Sequence, residues 1–111
     1  MIRLCHSTDL MEGQGRGFTV MGRTLMAVRH KGLAYVYENR CPHRGVRLEW
    51  QTDRFLDPSA SMIQCAHHGA LFLIDSGECV SGPCHGDFLQ QESCHEEGGS
   101  IWLQSPPGRD T

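Results

Sequence analysis

No window of eleven or more residues in this chain sustains an apolar repeat of 3.6 residues, so the sequence offers no amphipathic helix of ordinary length. Short runs of β-branched, aromatic and aliphatic residues recur instead at intervals of roughly ten residues, closed by glycine, proline or asparagine. That punctuation favours an all-β fold, a small antiparallel barrel or sandwich. Residues 18–29, FTVMGRTLMAVR, predict two strands joined by a tight turn at Gly22. LAYVYE, residues 33–38, predicts another between Gly32 and Asn39. Beyond the loop CPHRG at 41–45 come SMIQ, the loop CAHHG, then ALFLID running into a turn signal at Asp75, Ser76 and Gly77, and ECVSGP closing a small hairpin. SIWLQ at 100–104 is the last expected strand, which sets one domain over residues 1–104 and a flexible tail over 105–111. The stretch 48–60, LEWQTDRFLDPSA, breaks the pattern, and one short helical turn or an ordered loop fits it equally.

A single domain of 111 residues buries roughly 60–68% of the surface its unfolded chain exposes, which leaves little stability to support an elaborate cleft. Six cysteines and seven histidines against two tryptophans point to metal or disulfide chemistry ahead of a substrate pocket. No run of 18 apolar residues occurs, and MIRLCHSTDLMEGQG lacks the basic segment and apolar run of a secretory signal, so a cytoplasmic location with no membrane partner is expected. In a reducing compartment the cysteines serve as thiols or metal ligands rather than as a disulfide framework. The net charge of -3 is uneven, with eight basic and three acidic residues over 1–47 and two and ten over 48–111. An acidic second half, and a scattered basic first half with one lysine, argue against nucleic acid as a partner. P-loop, dinucleotide, EF-hand and H-E-x-x-H patterns are absent, and no spacing singles out a Cys-His hydrolase.

The chemistry-bearing residues fall in two groups. Cys41 and His43 form C-x-H, and Cys65 and His68 form C-x2-H, with 21 residues between His43 and Cys65. Each pair sits on an expected loop that closes a strand and carries a glycine. Two such loops side by side at one end of a β barrel converge two thiolates and two imidazoles, a donor set for iron-sulfur or zinc, whereas calcium and magnesium ask for oxygen. The spacing alone leaves the second histidine open, because Cys65-x-His67 repeats Cys41-x-His43. A zinc-binding structural protein also stays open, although C-x-H is tighter than the usual finger spacing.

CPHRG followed by CAHHG, with Gly82 and Pro83 downstream, resembles the paired ligand loops of the Rieske [2Fe-2S] family, and the resemblance covers roughly residues 2–104. It implies a small β domain with a cluster-binding subdomain at its tip and one [2Fe-2S] cluster. Cys41 and Cys65 would hold the inner iron and His43 and His68 the outer one, so the resemblance selects His68 over His67. Imidazole in place of thiolate raises such clusters into a range of about -150 to +300 mV, against about -400 mV for plant-type ferredoxins. The high-potential branch bridges its loops with two further cysteines, where this chain has Val46 and His67. That branch also donates hydrogen bonds to the cluster and its cysteine from a serine and a tyrosine, where this chain has Ala70 and Phe72. With both donors gone, the expected potential lies near the bottom of the range. Pro83 matches the rigid lid of the third loop, and Gly45 and Gly69 would let the ligand loops turn close to the sulfides.

The function implied is a low-potential electron carrier without an active site of its own, passing single electrons from a flavin-dependent reductase to an oxygenase or another redox enzyme through a small, weak interface. A Rieske-like small subunit or regulatory module of a larger oxidoreductase is the alternative. Cys79, Cys84 and His85 spell C-x4-C-H, but Cys79 falls in strand alternation and reads as a small core residue. The adjacent pairs Cys5-His6 and Cys94-His95 do not easily chelate one ion together. His67 reads either as a partner contact or as a surface imidazole. Trp50 and Phe55, in WQTDRFLD, either cap the core or belong to a docking surface.

Overall fold

The computed structural model describes residues 2–40, 55–59, 61–65, 69–82 and 85–104, so the expected tail over 105–111 lies outside the described residues. In chain order its strands are β1 (Ile2–His6), β2 (Gly15–Val20), β3 (Arg23–His30), β4 (Leu33–Glu38), β5 (Met62–Gln64), β6 (Leu71–Leu73), β7 (Cys79–Ser81), β8 (Gln91–Glu92), β9 (Cys94–Glu97) and β10 (Ser100–Leu103), with one 3₁₀ turn at Ser7–Asp9. Among the described residues they form three sheets, ordered β1-β10-β9, β2-β3-β4-β8 and β5-β6-β7, with every strand pair antiparallel. The expected all-β architecture is therefore the one observed. Among the described residues no helix is long and apolar enough to cross a membrane.

Three hairpins turn on two residues each: Met21 and Gly22, Lys31 and Gly32, Gly98 and Gly99. Both central residues have positive φ in every case, from 51° to 81°, the type I′ arrangement whose twist matches that of the strands it joins. β1 and β9, IRLCH and CHEE, show little apolar alternation and were not expected as strands. They form because β10, lying between them, pairs with both. Of the ambiguous stretch 48–60, only residues 55–59 are described, and they form a loop. Leu56 bridges to Ile63, while the Asp57 carboxylate accepts the backbone N–H groups of Ser61 and Met62, both at 3.0 Å.

The central sheet is buried on both faces at β3. Leu25 and Ala27 point into one core with Cys5, Leu10, Val36, Ile101 and Leu103. Met26 and Val28 point the other way into a second core with Tyr37, Phe55, Ile63, Cys65, Phe72 and others. All four residues, Leu25 to Val28, have no exposed surface. A continuous apolar run is what a strand covered on both sides requires, and the run LMAV supplies it.

Arg29, at the end of β3, clasps the first of these cores shut. Its guanidinium donates to the Leu10, Ser7 and Gly32 carbonyls at 2.9, 3.2 and 3.3 Å and to both Glu96 oxygens at 2.7 and 2.9 Å, which engages all five of its N–H groups. The guanidinium hydrogen bonds hold the Glu96 carboxyl at about 2. Because that value lies below the ordinary carboxylate range of about 4.3, the contribution is complete above roughly pH 5 and is lost as pH falls toward 2. Arg29→Met is expected to cost about 2 kcal/mol at pH 7, measured by urea denaturation, since it takes the guanidinium from one carboxylate and a donor from each of three carbonyls. Glu96→Gln should flatten the dependence of the midpoint on pH between 5 and 2.5.

Candidate metal centre

Cys65 closes β5, and its backbone is tied in both directions. Its N–H donates to the Ala70 carbonyl at 2.9 Å, and its own carbonyl accepts the Gly69 N–H at 2.8 Å. The chain thus leaves β5 and returns to β6 through a narrow mouth, with Gln64 paired to Leu71 directly beneath it. Gly69 makes the return with φ of 68° at the surface. Cys65 itself has no exposed surface and lies in the same core as Ile63, Ala70 and Phe72.

The segment after β7 presses against this mouth. A Cβ added at Gly82, where φ is 106°, would lie 2.8 Å from the Ala70 Cα and 3.0 Å from its Cβ, so only glycine allows the approach. Pro83 and Cys84 lie outside the described residues, and His85 is exposed. Ala70 and Phe72 are fully buried, and neither carries a hydroxyl.

The β5–β7 sheet is held to the central sheet by Tyr37 of β4, a residue whose role the sequence did not reveal. Its hydroxyl donates to the Ile74 carbonyl at 2.5 Å. Burial pushes its phenol well above the usual range, so it stays a neutral donor. The β6–β7 turn meets the same ring, with a Cβ at Gly77 placed 2.8 Å from Tyr37 Cε1. A tyrosine inside a strand alternation was the available signal, since a buried phenol needs a partner for its hydroxyl.

Three of the four expected ligands, Cys41, His43 and His68, lie outside the described residues, as do Gly45, Val46, Trp50 and His67. Among the described residues no three His, Cys, Asp or Glu side chains converge to hold an ion. Cys79, read as a core residue, is fully buried, with its thiol donating to the Ser81 carbonyl at 3.3 Å. Phe55 is buried in the same core as Cys65, as a capping residue would be. Burial raises the Cys5 and Cys94 thiols, so both stay protonated at neutral pH. The chemistry of Cys65 fits a metal ligand: a fully buried thiol disfavours charge unless a cation neutralises it, and its backbone is held on both sides.

The family model described as Rieske [2Fe-2S] domain matches residues 1–101. The chain is 28% identical over 107 residues to cholesterol 7-desaturase of Caenorhabditis elegans, covering 90% of this chain and 24% of that protein. It is 30% identical over 100 residues to the oxidoreductase NdmD of Pseudomonas putida, covering 81% and 16%. The chain thus spans a quarter or less of the length of these two relatives. To the ferredoxin component of the alkene monooxygenase system of Xanthobacter autotrophicus it is 26% identical over 108 residues, covering 96% and 82%. The solved structure of the Sphingomonas yanoikuyae B1 ferredoxin has the same fold, with a TM-score of 0.77 at 24% identity over 95% of this chain and 98% of that one.

Proposed function

Because the chain belongs to the Rieske [2Fe-2S] domain family, we propose that it is a low-potential one-electron carrier, taking electrons from a flavin-dependent reductase and passing them to an oxygenase or a similar redox enzyme. The observation that carries this reading is coverage: the relatives matched along most of their own length, 82% and 98%, are ferredoxins. Cys41, His43, Cys65 and His68 would hold one [2Fe-2S] cluster. That group, when bound, supplies a single reversible electron. Burial of Cys65 keeps water from the ligating sulfur, and the loop mouth fixes its direction. Ala70 and Phe72 offer no hydroxyl to stabilise the added negative charge, which supports a potential near the bottom of the Rieske range, about -150 mV.

A module of a larger oxidoreductase is the second reading, favoured by the two relatives in which the match covers 24% and 16% of the protein. One experiment tests the carrier. Protein purified without oxygen is examined by optical and EPR spectroscopy before and after dithionite, titrated for its potential, and assayed for iron, zinc and acid-labile sulfide. A red-brown protein with about two irons and two sulfides per chain, an EPR signal on reduction and a potential near the lower limit is expected. Colourless protein that stays so after cluster reconstitution, with or without zinc, would sink the proposal. A potential near +300 mV would overturn its low-potential part.

A further inference from the structure

We propose that Phe88, with the acidic residues Asp75, Glu78, Asp87 and Glu92 around it, is the docking surface for a redox protein that presents a basic face, an inference that rests on the carrier function above. Four large apolar side chains are strongly exposed among the described residues: Met11, Met21, Leu33 and Phe88. The first three belong to the half of the chain that holds most of the basic residues, Met21 two positions from Arg23 and Leu33 two from Lys31. Phe88, 57% exposed, belongs to a different electrostatic setting. From residue 55 to residue 104 the chain has seven acidic residues and no lysine or arginine.

Three of those acids are engaged elsewhere, Glu96 by Arg29, Asp57 by the turn it caps and Glu97 beside His95. Asp75, Glu78, Asp87 and Glu92 form no ion pair with another described residue. The fold places three of them on the backbone segments next to Phe88. Glu78 is the cross-strand partner of Phe88, Asp87 precedes it in the chain, and Asp75 lies in the turn whose Gly77 carbonyl accepts the Leu89 N–H at 2.9 Å. Glu92 follows on β8.

The surface is also built in advance. Cys79 donates to the Asp87 carbonyl at 2.8 Å, Gly86 to that of Cys79 at 3.1 Å and His85 to that of Gly82 at 3.2 Å. Little ordering is therefore left for a partner to impose. The same segment begins at Gly82, packed on Ala70, whose carbonyl holds the Cys65 N–H. The segment that carries Phe88 therefore starts against the mouth of the loop that carries Cys65. An aromatic anchor gives a docking contact its affinity, and the carboxylates speed encounter with lysines and arginines and repel acidic proteins.

The test uses cluster-loaded protein reduced with dithionite and mixed with ferricytochrome c, a basic haem protein, as the probe, and with ferricyanide, a small anion, as the control. For the wild type the cytochrome rate should fall steadily with ionic strength. Asp87→Asn combined with Glu78→Gln should slow it roughly fivefold at low salt and flatten the salt dependence. Phe88→Ala should slow it roughly three- to tenfold at every salt concentration, with Phe88→Leu restoring most of the rate. Ferricyanide oxidation should not slow in any variant, rising if anything at low salt where carboxylates are removed, and the visible spectrum should not change. Cytochrome rates that match the wild type, or a loss that ferricyanide shares, would overturn the proposed surface. Protein that shows no dithionite-reducible absorbance would overturn the carrier function itself before any acceptor is added.

Discussion

Cys65→Ala is expected to yield protein that binds neither iron nor acid-labile sulfide, whatever the reconstitution conditions. Cys65 is the proposed ligand whose setting is described. Of the side chains sharing its core, Ile63, Ala70 and Phe72 carry no atom that could replace a thiolate, and its full burial denies the position to water. The backbone bonds to Gly69 and Ala70 do not involve the side chain, so the loop mouth survives the substitution while its sulfur is lost. Cys79→Ala is the control. Its sulfur is equally buried and in the same core, yet it should retain about two irons per chain, losing only the roughly 1 kcal/mol that a small core truncation costs. Iron and sulfide analysis of the two variants, with circular dichroism to verify the fold, separates a ligand from a core thiol. Cys65→Ala protein with two irons would remove Cys65 from the proposed set.

Gly77→Ala should destabilise the protein by about 3 kcal/mol, measured by chemical denaturation. Two costs combine. A φ of 77° strains any L side chain by about 1–2 kcal/mol. The added methyl would also stand 2.8 Å from Tyr37 Cε1 and 3.3 Å from Leu89 Cβ, and relieving such overpacking costs about 1–3 kcal/mol. The ring cannot retreat without stretching its hydrogen bond to Ile74. Gly98→Ala isolates the first cost, because Gly98 has φ of 59° and nothing within 4 Å of the added atom. It should lose only about 1 kcal/mol. Equal losses in the two variants would mean that the Tyr37 contact carries no energy.

The hairpins around β3 and the strands β4 to β7 and β10 were legible because alternation and turn residues are local properties of the chain. So was the paired motif, whose residue types and spacing state a donor set without reference to the fold. The grouping into three sheets was not legible. LMAV in β3 reads as an imperfect alternation, and its meaning emerges only when a sheet covers each face. β1 and β9 were invisible for a related reason: they owe their existence to β10, a partner distant from β1 in sequence. The roles of Tyr37 and Phe88 depend on what surrounds their rings. A strand pattern gives the same prior to an aromatic that anchors two sheets and to one left facing water.

The double burial of β3 bears on how the molecule comes apart. Residues Leu25 to Val28 form a wall common to both cores, so a fluctuation that opens one core strips a wall from the other. Neither half has a private folding equilibrium, and the chain should open as a single cooperative unit. A cofactor bound on the Cys65 side would then slow amide exchange in β1 and β10 as well, through mass action on the shared open state and without any movement passing between the two ends.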